Sequence, residues 1–502
     1  MATKRDLVEA YAFSRRRLVT AFVSGAPGGR EVEPSRPGRA IIGGIALTVL
    51  VLAAAAVIGF LKPRPDAGWA DSEGIVLAEG SIQLYLVQVD EGGGDPVLVP
   101  IVNATSARLI LGSDLDPTTV PEEEINKYEQ VDAIGIPEAP VAMPAGDALI
   151  GTGWTSCTAN GAGFRVAVTP DAPVEVDEQA AMVVSSAGEY FLLAPGQPDA
   201  NGTTRVFRMQ IPSSDPAVVE SLLAAIDGPV AADVVEVPRD WVDLFPAAPA
   251  LDASSFDFED QLAQFGQPVS SGLTLSNGSP ALVGMLALDP GGEEVVVTAD
   301  GYREMSDFGA AVYRSVPGIG EPSRVSGDLG TRYSDPAPND VWPTDLPDVR
   351  QDATVQQPCV VLSTHDDVPP TVTLALRPAA PVAVEDASPG EVEPYVERGD
   401  GAVVRVGGFT DTRAGDAFLV DSQGVRYALP GDALTQLGYD LSDAPVVPTA
   451  WIEHFGCGVT LTREEALKPL GSTSQAQRTC TPVAPGEEPP GEDGGAGDGA
   501  TG

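Results

Sequence analysis

The chain has little of what most enzyme sites and nucleic-acid surfaces are built from. Among 502 residues there are four lysines (Lys4, Lys62, Lys127, Lys468) and two histidines (His365, His454), and aromatic residues make up 6%. A P-loop needs a Gly-rich turn ending in Lys-Ser or Lys-Thr, so that backbone amides and one ammonium hold the phosphates. No lysine here precedes serine or threonine, which excludes a Walker-type nucleotide site. A Ser-His-Asp triad would have to use one of the two histidines, yet the chain has no Gly-x-Ser-x-Gly elbow. Excess basic charge is also missing: the net charge is −43, the wrong sign for gripping nucleic-acid phosphates. EF-hand spacing is absent as well, so the many carboxylates read as a solvated surface rather than cation ligands. We assign no catalytic, cofactor-binding or metal-ligating residue. His365, within Thr364-His365-Asp366-Asp367, reads as part of a solvated loop.

Charge is absent altogether from Ala40 to Leu61, an apolar run of 22 residues. As a helix it would be about 33 Å long, enough to cross a hydrocarbon core of about 30 Å. A cleavable leader would have a shorter apolar region with a small-residue cleavage site close behind. This run is too long, starts late and stops at Lys62-Pro63-Arg64, so it is expected to be an uncleaved membrane anchor. Residues 1–39 hold eight Lys/Arg (Lys4, Arg5, Arg15, Arg16, Arg17, Arg30, Arg36, Arg39) against four Asp/Glu, so all the excess acidity lies beyond them. The positive-inside rule then keeps the N-terminus in the cytoplasm and exports the rest. The expected localisation is a single-pass protein of the plasma membrane.

The exported part, about 440 residues, is more than one hydrophobic core usually serves. All four cysteines (Cys157, Cys359, Cys457, Cys480) lie within it, which fits an oxidising compartment and two disulfides. Three pairings are open. The preferred one joins the distant Cys157 and Cys359 and leaves Cys457–Cys480 as a local loop.

Residues 4–23 read as an amphipathic helix with Thr3 as its N-cap and Leu7, Tyr11, Leu18 and Phe22 on one face. With Arg15, Arg16 and Arg17 these residues suit either the inner leaflet or a cytoplasmic partner protein. A Gly- and Pro-rich linker follows, from Gly25 to Gly38.

Beyond the anchor one plan recurs: a β-type run, a turn, a second β-type run and a short capped helix. The copies begin at Ile82, Tyr190, Val295 and Phe418, and their helices follow Asn103, Asp215, Ser306 and Asp432. Two copies carry a stricter signal. Pro238-x-x-Trp241-Val242-Asp243-x-Phe245-x5-Leu251 matches Pro448-x-x-Trp451-Ile452-Glu453-x-Phe455-x5-Leu461, and Asp233 and Asp443 keep the same offset of 210. Such agreement points to duplicated modules, with Trp241 and Trp451 as core residues. His454 stands where the other copy has Leu244, which points to packing. Residues 334–358, rich in Pro and Asp, read as a long surface loop, and the Pro/Gly/acidic stretch from 482 to 502 as disordered.

The expected fold is thus a single-pass membrane protein with a β-rich α+β ectodomain, a central core carrying small repeated strand-turn-strand-helix modules. The expected divisions are 1–39 (cytoplasmic helix and linker), 40–61 (span), 62–250 (first half of the ectodomain with repeats), 251–400 (central core and a repeat with the loop), 401–481 (last module) and 482–502 (tail).

These features together resemble EccB, the single-pass membrane component of the actinobacterial type VII (ESX) secretion machinery. The resemblance lies in Arg15-Arg16-Arg17-Leu18, the span followed by Lys62-Pro63, and Pro100-Ile101-Val102-Asn103-x-Thr105-Ser106-Ala107-Arg108-Leu109-Ile110. It continues through Gly135-Ile136-Pro137-x-Ala139-Pro140 and Trp154-Thr155-x-Cys157. It implies a structural subunit that links a cytoplasmic motor base to an extracytoplasmic oligomeric chamber. The implied partners are an EccC-like FtsK-type ATPase, an EccD-like multispanning protein, the mycosin protease and further copies of the chain. It also implies a core disulfide at Cys157–Cys359, and it assigns docking on the base to the helix bearing Leu7, Tyr11, Arg15, Arg16, Arg17, Leu18 and Phe22. The rival class is a stand-alone, membrane-tethered wall-binding protein or envelope hydrolase.

Overall fold

The computed structural model describes residues 3–24, 47–52 and 68–471, the last without 90–94, 114–115, 171–173, 213–214, 257–263, 271, 328, 338, 340, 351–355, 366, 379–386 and 414. Two compact units result, residues 1–67 and 68–502. In the first, an α-helix runs over Lys4–Ser24. The Asp6 carboxylate accepts from the Thr3 backbone amide at 3.0 Å, the returning half of a capping box, while the Thr3 hydroxyl, expected as the cap acceptor, instead donates to that carboxylate at 2.7 Å. That bond also holds the exposed Asp6 carboxyl below its ordinary pKa. Of the expected span only 47–52 is described, and it is helical. Among the described residues no helix is long and apolar enough to cross a membrane.

The second unit is built on five β-sheets. In the last module, strand Ala402–Gly407 pairs antiparallel with Asp416–Val420, which pairs antiparallel with Val425–Ala428. The short helix Ala433–Gln436 follows. Strand Val446–Pro448 then returns parallel to the first strand, and Gly456–Cys457 parallel to the third. The module at 74–130 repeats this order with strands Gly74–Glu79, Leu84–Gln88 and Val97–Ile101, helix Ala104–Leu111, and returns at Thr118–Pro121 and Glu129–Gln130. So does the module at 286–337: strands Leu286–Leu288, Glu294–Val297 and Gly301–Met305, helix Asp307–Arg314, and returns at Ser323–Ser326 and Thr331–Ala337. In the module at 180–247 the strands are Ala180–Ser186, Glu189–Pro195 and Val206–Ile211, the helix Pro216–Ala225, and the first return Val235–Glu236. Its second return is a parallel bridge between Arg208 and Ala247. One topology thus serves all four modules, called below the first to fourth in chain order.

The helix signals in the sequence form as local chemistry dictates. The side chains of Asn103, Asp215 and Ser306 accept hydrogen bonds from the backbone amides of Ser106, Ala217 and Gly309, satisfying donors that a helix start leaves open. Gly112 ends the first-module helix at φ 99°, where a side chain would be strained. The fourth helix departs from expectation. Asp432 makes no side-chain cap, and the helix spans Ala433–Gln436 rather than continuing to Gly438.

The central sheet runs in the order Val392–Val396, Phe164–Val168, Trp154–Thr158, Gln356–His365, Val368–Pro378 and Glu175–Val176. Its strands come from both sides of the second and third modules, which are therefore inserted between two of its neighbours. Cys157 and Cys359 stand directly opposite each other on those neighbours and are disulfide-bonded, 202 residues apart in sequence. The stretch at 334–358 is not only surface loop. It contains strand residues at both ends and at Asp348–Val349, and Trp342 is fully buried with its Nε1 donating to the Pro249 carbonyl at 3.1 Å.

One face of the central sheet carries the largest core, shared with the second and fourth modules. On their other faces these modules pair through the helices that follow their third strands, the second with the third and the fourth with the first. Serine at both Cys157 and Cys359 is expected to lower stability by about 2–4 kcal/mol. The readout is a lower urea midpoint under non-reducing conditions, and an unchanged midpoint would leave the strand ladder alone holding the sheet.

Candidate functional site

In each module the chain must travel from the first return strand at one edge of the sheet to the second at the other. In the second and fourth modules it does so through the short helices Arg239–Val242 and Thr449–Ile452. A helix crossing a sheet face needs a large apolar residue to fill the gap beneath it. Trp241 and Trp451 do this, and both are fully buried, together with Trp154 of the central sheet. Their polar edges are satisfied across module boundaries. Trp451 Nε1 donates to the Leu244 carbonyl at 3.0 Å, and Trp241 Nε1 reaches the Ser156 carbonyl at 3.4 Å. Edge-to-face ring pairs close the cluster: Trp154 with Phe455 at 5.6 Å and Trp241 with Phe245 at 5.3 Å. Core packing is therefore the role of both repeat tryptophans.

The sequence reading missed a second matched pair. Arg208 Nη1 donates to the Val242 carbonyl and Arg426 Nη1 to the Ile452 carbonyl, so each module's third strand latches the end of its crossing helix. Val242 and Ile452 lie 210 apart, whereas Arg208 and Arg426 lie 218 apart. A fixed-offset comparison cannot see this pair, because the helix between latch and catch is ten residues long in one module and four in the other. Burial lowers the pKa of both guanidinium groups, opposed by Asp243 at Arg208 and by Glu453 at Arg426.

Of the cysteines, Cys157 and Cys359 occupy the central sheet's other face with Val361 and Ala375. Cys457 is disulfide-bonded in the last strand of the fourth module, and Cys480 lies outside the described residues. His365 is exposed where strand Gln356–His365 ends. His454 packs its imidazole edge-to-face on Phe164 at 4.9 Å. The candidate docking residues stay together on the N-terminal helix, with Leu7, Tyr11, Leu18 and Phe22 between 67% and 93% exposed and Arg15, Arg16 and Arg17 also at the surface. Among the described residues no group of His, Cys, Asp or Glu is arranged to hold a metal ion.

The family described as "Type VII secretion system ESX-1, transport TM domain B" matches residues 1–472. The chain belongs to this EccB family. It is 28% identical over 467 residues to "ESX-1 secretion system ATPase EccB1" of Mycolicibacterium smegmatis (strain MKD8), covering 86% of this chain and 87% of the relative. It is likewise 28% identical over 509 residues to "ESX-3 secretion system ATPase EccB3" of Mycobacterium tuberculosis (strain CDC 1551 / Oshkosh), covering 90% and 87%. Among solved structures it resembles a chain in "Structure of EccB3 dimer from the ESX-3 core complex" with TM-score 0.58 and 25% identity, over 79% of this chain and all of that one. The fold also matches a chain of an intact ESX-5 inner membrane complex, with TM-score 0.57 and 21% identity over 94% and 96% of the two chains. An EccB chain is thus a component of type VII secretion, and the repeated modules with the central sheet are most of its described residues.

Trp451→Ala is expected to cost about 3–5 kcal/mol. Arg426→Met, which leaves the Ile452 carbonyl without that donor, is expected to cost about 1–3 kcal/mol. Both are read from denaturant unfolding. A loss under about 0.5 kcal/mol for Trp451→Ala, the range of ordinary surface changes, would remove the indole from the core role.

Proposed function

We propose that this chain is a structural, membrane-anchored subunit of a type VII secretion complex, linking a cytoplasmic motor base to an extracytoplasmic oligomeric chamber. The observation that carries the proposal is the family match over residues 1–472, which takes in the basic N-terminal helix, the apolar run and all four modules. The helix Lys4–Ser24 docks on the base through Leu7, Tyr11, Leu18 and Phe22, with Arg15, Arg16 and Arg17 supplying charge. The run 40–61 anchors the chain once through the plasma membrane, N-terminus inward. Outside, the modules associate with further copies.

The proposed partners are an EccC-like FtsK-type ATPase and an EccD-like multispanning protein, with a mycosin protease on the outer side. The relatives carry "ATPase" in their names. This chain has no lysine ahead of Ser or Thr to serve a Walker A loop, so we place the nucleotide chemistry on the motor partner.

The test is a mild-detergent pull-down of the full-length protein beside one lacking residues 1–24, with partners identified by mass spectrometry. The motor ATPase and multispanning protein are expected with the full chain alone. Leu7→Asp with Leu18→Asp is expected to cut their recovery about tenfold or more, as loss of a central apolar anchor does. Recovery of the chain by itself, or with wall fragments, would overturn the scaffold reading in favour of a stand-alone wall-binding protein.

A further inference from the structure

The second and fourth modules meet over the central sheet, and their two crossing segments are near copies with one chemical difference at the junction. Where the second module has Leu244, fully buried and apolar, the fourth has His454. A leucine there has no charge state, whereas an imidazole does.

His454 is placed so that its neutral form fits and its charged form does not. It packs edge-to-face on Phe164 of the central sheet, at 4.9 Å and 89° between rings. It is hydrogen-bonded to the backbone of Ala450, while Nε2 is sealed from solvent with no hydrogen-bond partner. A proton on Nε2 would therefore be buried without an acceptor. The same crossing segment carries the contacts that hold the fourth module in place: Phe455 on Trp154 of the central sheet, and Trp451 bonded to the Leu244 carbonyl of the second module. The charged groups facing it are Asp240 and Asp243, from the second module's crossing segment, and Arg426, from the fourth module's third strand. Asp243 is already paired with Arg208 and Arg239. Glu453 adjoins it in sequence.

We propose that His454 is an acid-sensitive latch: as the neutral imidazole it keeps the crossing segments of the second and fourth modules closed on the central sheet, and its protonation releases them. Burial is the largest influence on the imidazole and lowers its pKa, with Arg426 acting the same way and the two aspartates and the hydrogen bond to the Ala450 backbone acting against. The latch therefore stabilises the junction fully above the ordinary imidazole value of about 6.5, and that stability is lost as pH falls through the lowered folded value.

The experiment uses the full-length protein in detergent, free of any histidine tag, from about pH 7.5 down to about pH 5. Hydrogen exchange is followed over 238–245 and 448–455 and corrected for intrinsic rates, with helix Asp307–Arg314 as the reference. Opening of the two crossing segments is expected to rise by up to about tenfold per pH unit as pH falls from about 6.5 to the lowered folded value, and to level off below it. Neither the reference helix nor the His454→Leu variant should show that rise. Glu453, whose pKa burial raises, persists in His454→Leu, so the difference between the two proteins isolates the imidazole. Because the chain has only two histidines, His365→Gln leaves one imidazole to titrate by NMR, which decides the matter even if His454→Leu fails to fold. An equal acid response in His454→Leu, or a His454 titration at or above about 6.5, would overturn the latch.

Discussion

The structure depends on filling the space between the central sheet and the two modules that cover it. Trp241 and Trp451 do so from equivalent crossing helices, and Trp154 meets them from the central sheet. An indole supplies more apolar area than any other side chain, but its N–H must find an acceptor when buried. Here the acceptors lie beyond each tryptophan's own module, at Ser156 in the central sheet and at Leu244 in the neighbouring module. The requirement to satisfy these two donors thus ties three sheets together in a single arrangement, which apolar contact alone would specify less sharply.

The rest of the architecture follows from that junction. Each module has a face left over, covered by the helix that follows its third strand, and two such faces pack against each other: the second module with the third, the fourth with the first. The disulfide sits on the face of the central sheet opposite the tryptophans and closes the loop containing the second and third modules. Four copies of one topology, joined through buried faces rather than flexible linkers, make a body suited to holding position in a membrane assembly. For an EccB family member that is the property a structural subunit needs, and His454 supplies one point at which the rigidity is conditional.

Much of this was legible in the residues. Hairpin turns and the caps at Asn103, Asp215 and Ser306 are local, since a few neighbouring residues decide them. The Trp repeat was legible because its spacing survives intact, and the N-terminal helix because its apolar residues keep helical spacing over Lys4–Ser24. What escaped were the first strand of each module and the return strands. Some returns are only two residues long, as at Val235–Glu236 and Gly456–Cys457, too short to show alternation. Asp432 was misread for a related reason: a capping residue type does not cap unless the backbone turns its side chain back toward the helix, and here it does not.

By itself the sequence determined the β-rich class, the four-module plan, the equivalence of Trp241 and Trp451, and the absence of a Walker lysine, all properties of local pattern or residue type. Only the tertiary structure decided which strands the central sheet takes and which carbonyls the indoles use. It also brought Arg208 and Arg426 to matching carbonyls despite unmatched spacing, and gave Trp342 a buried place in a Pro-rich stretch. The physical reason is that these contacts join residues far apart in the chain, some by about 200 positions. Their formation rests on how whole sheets stack, a free energy that no short window of sequence contains.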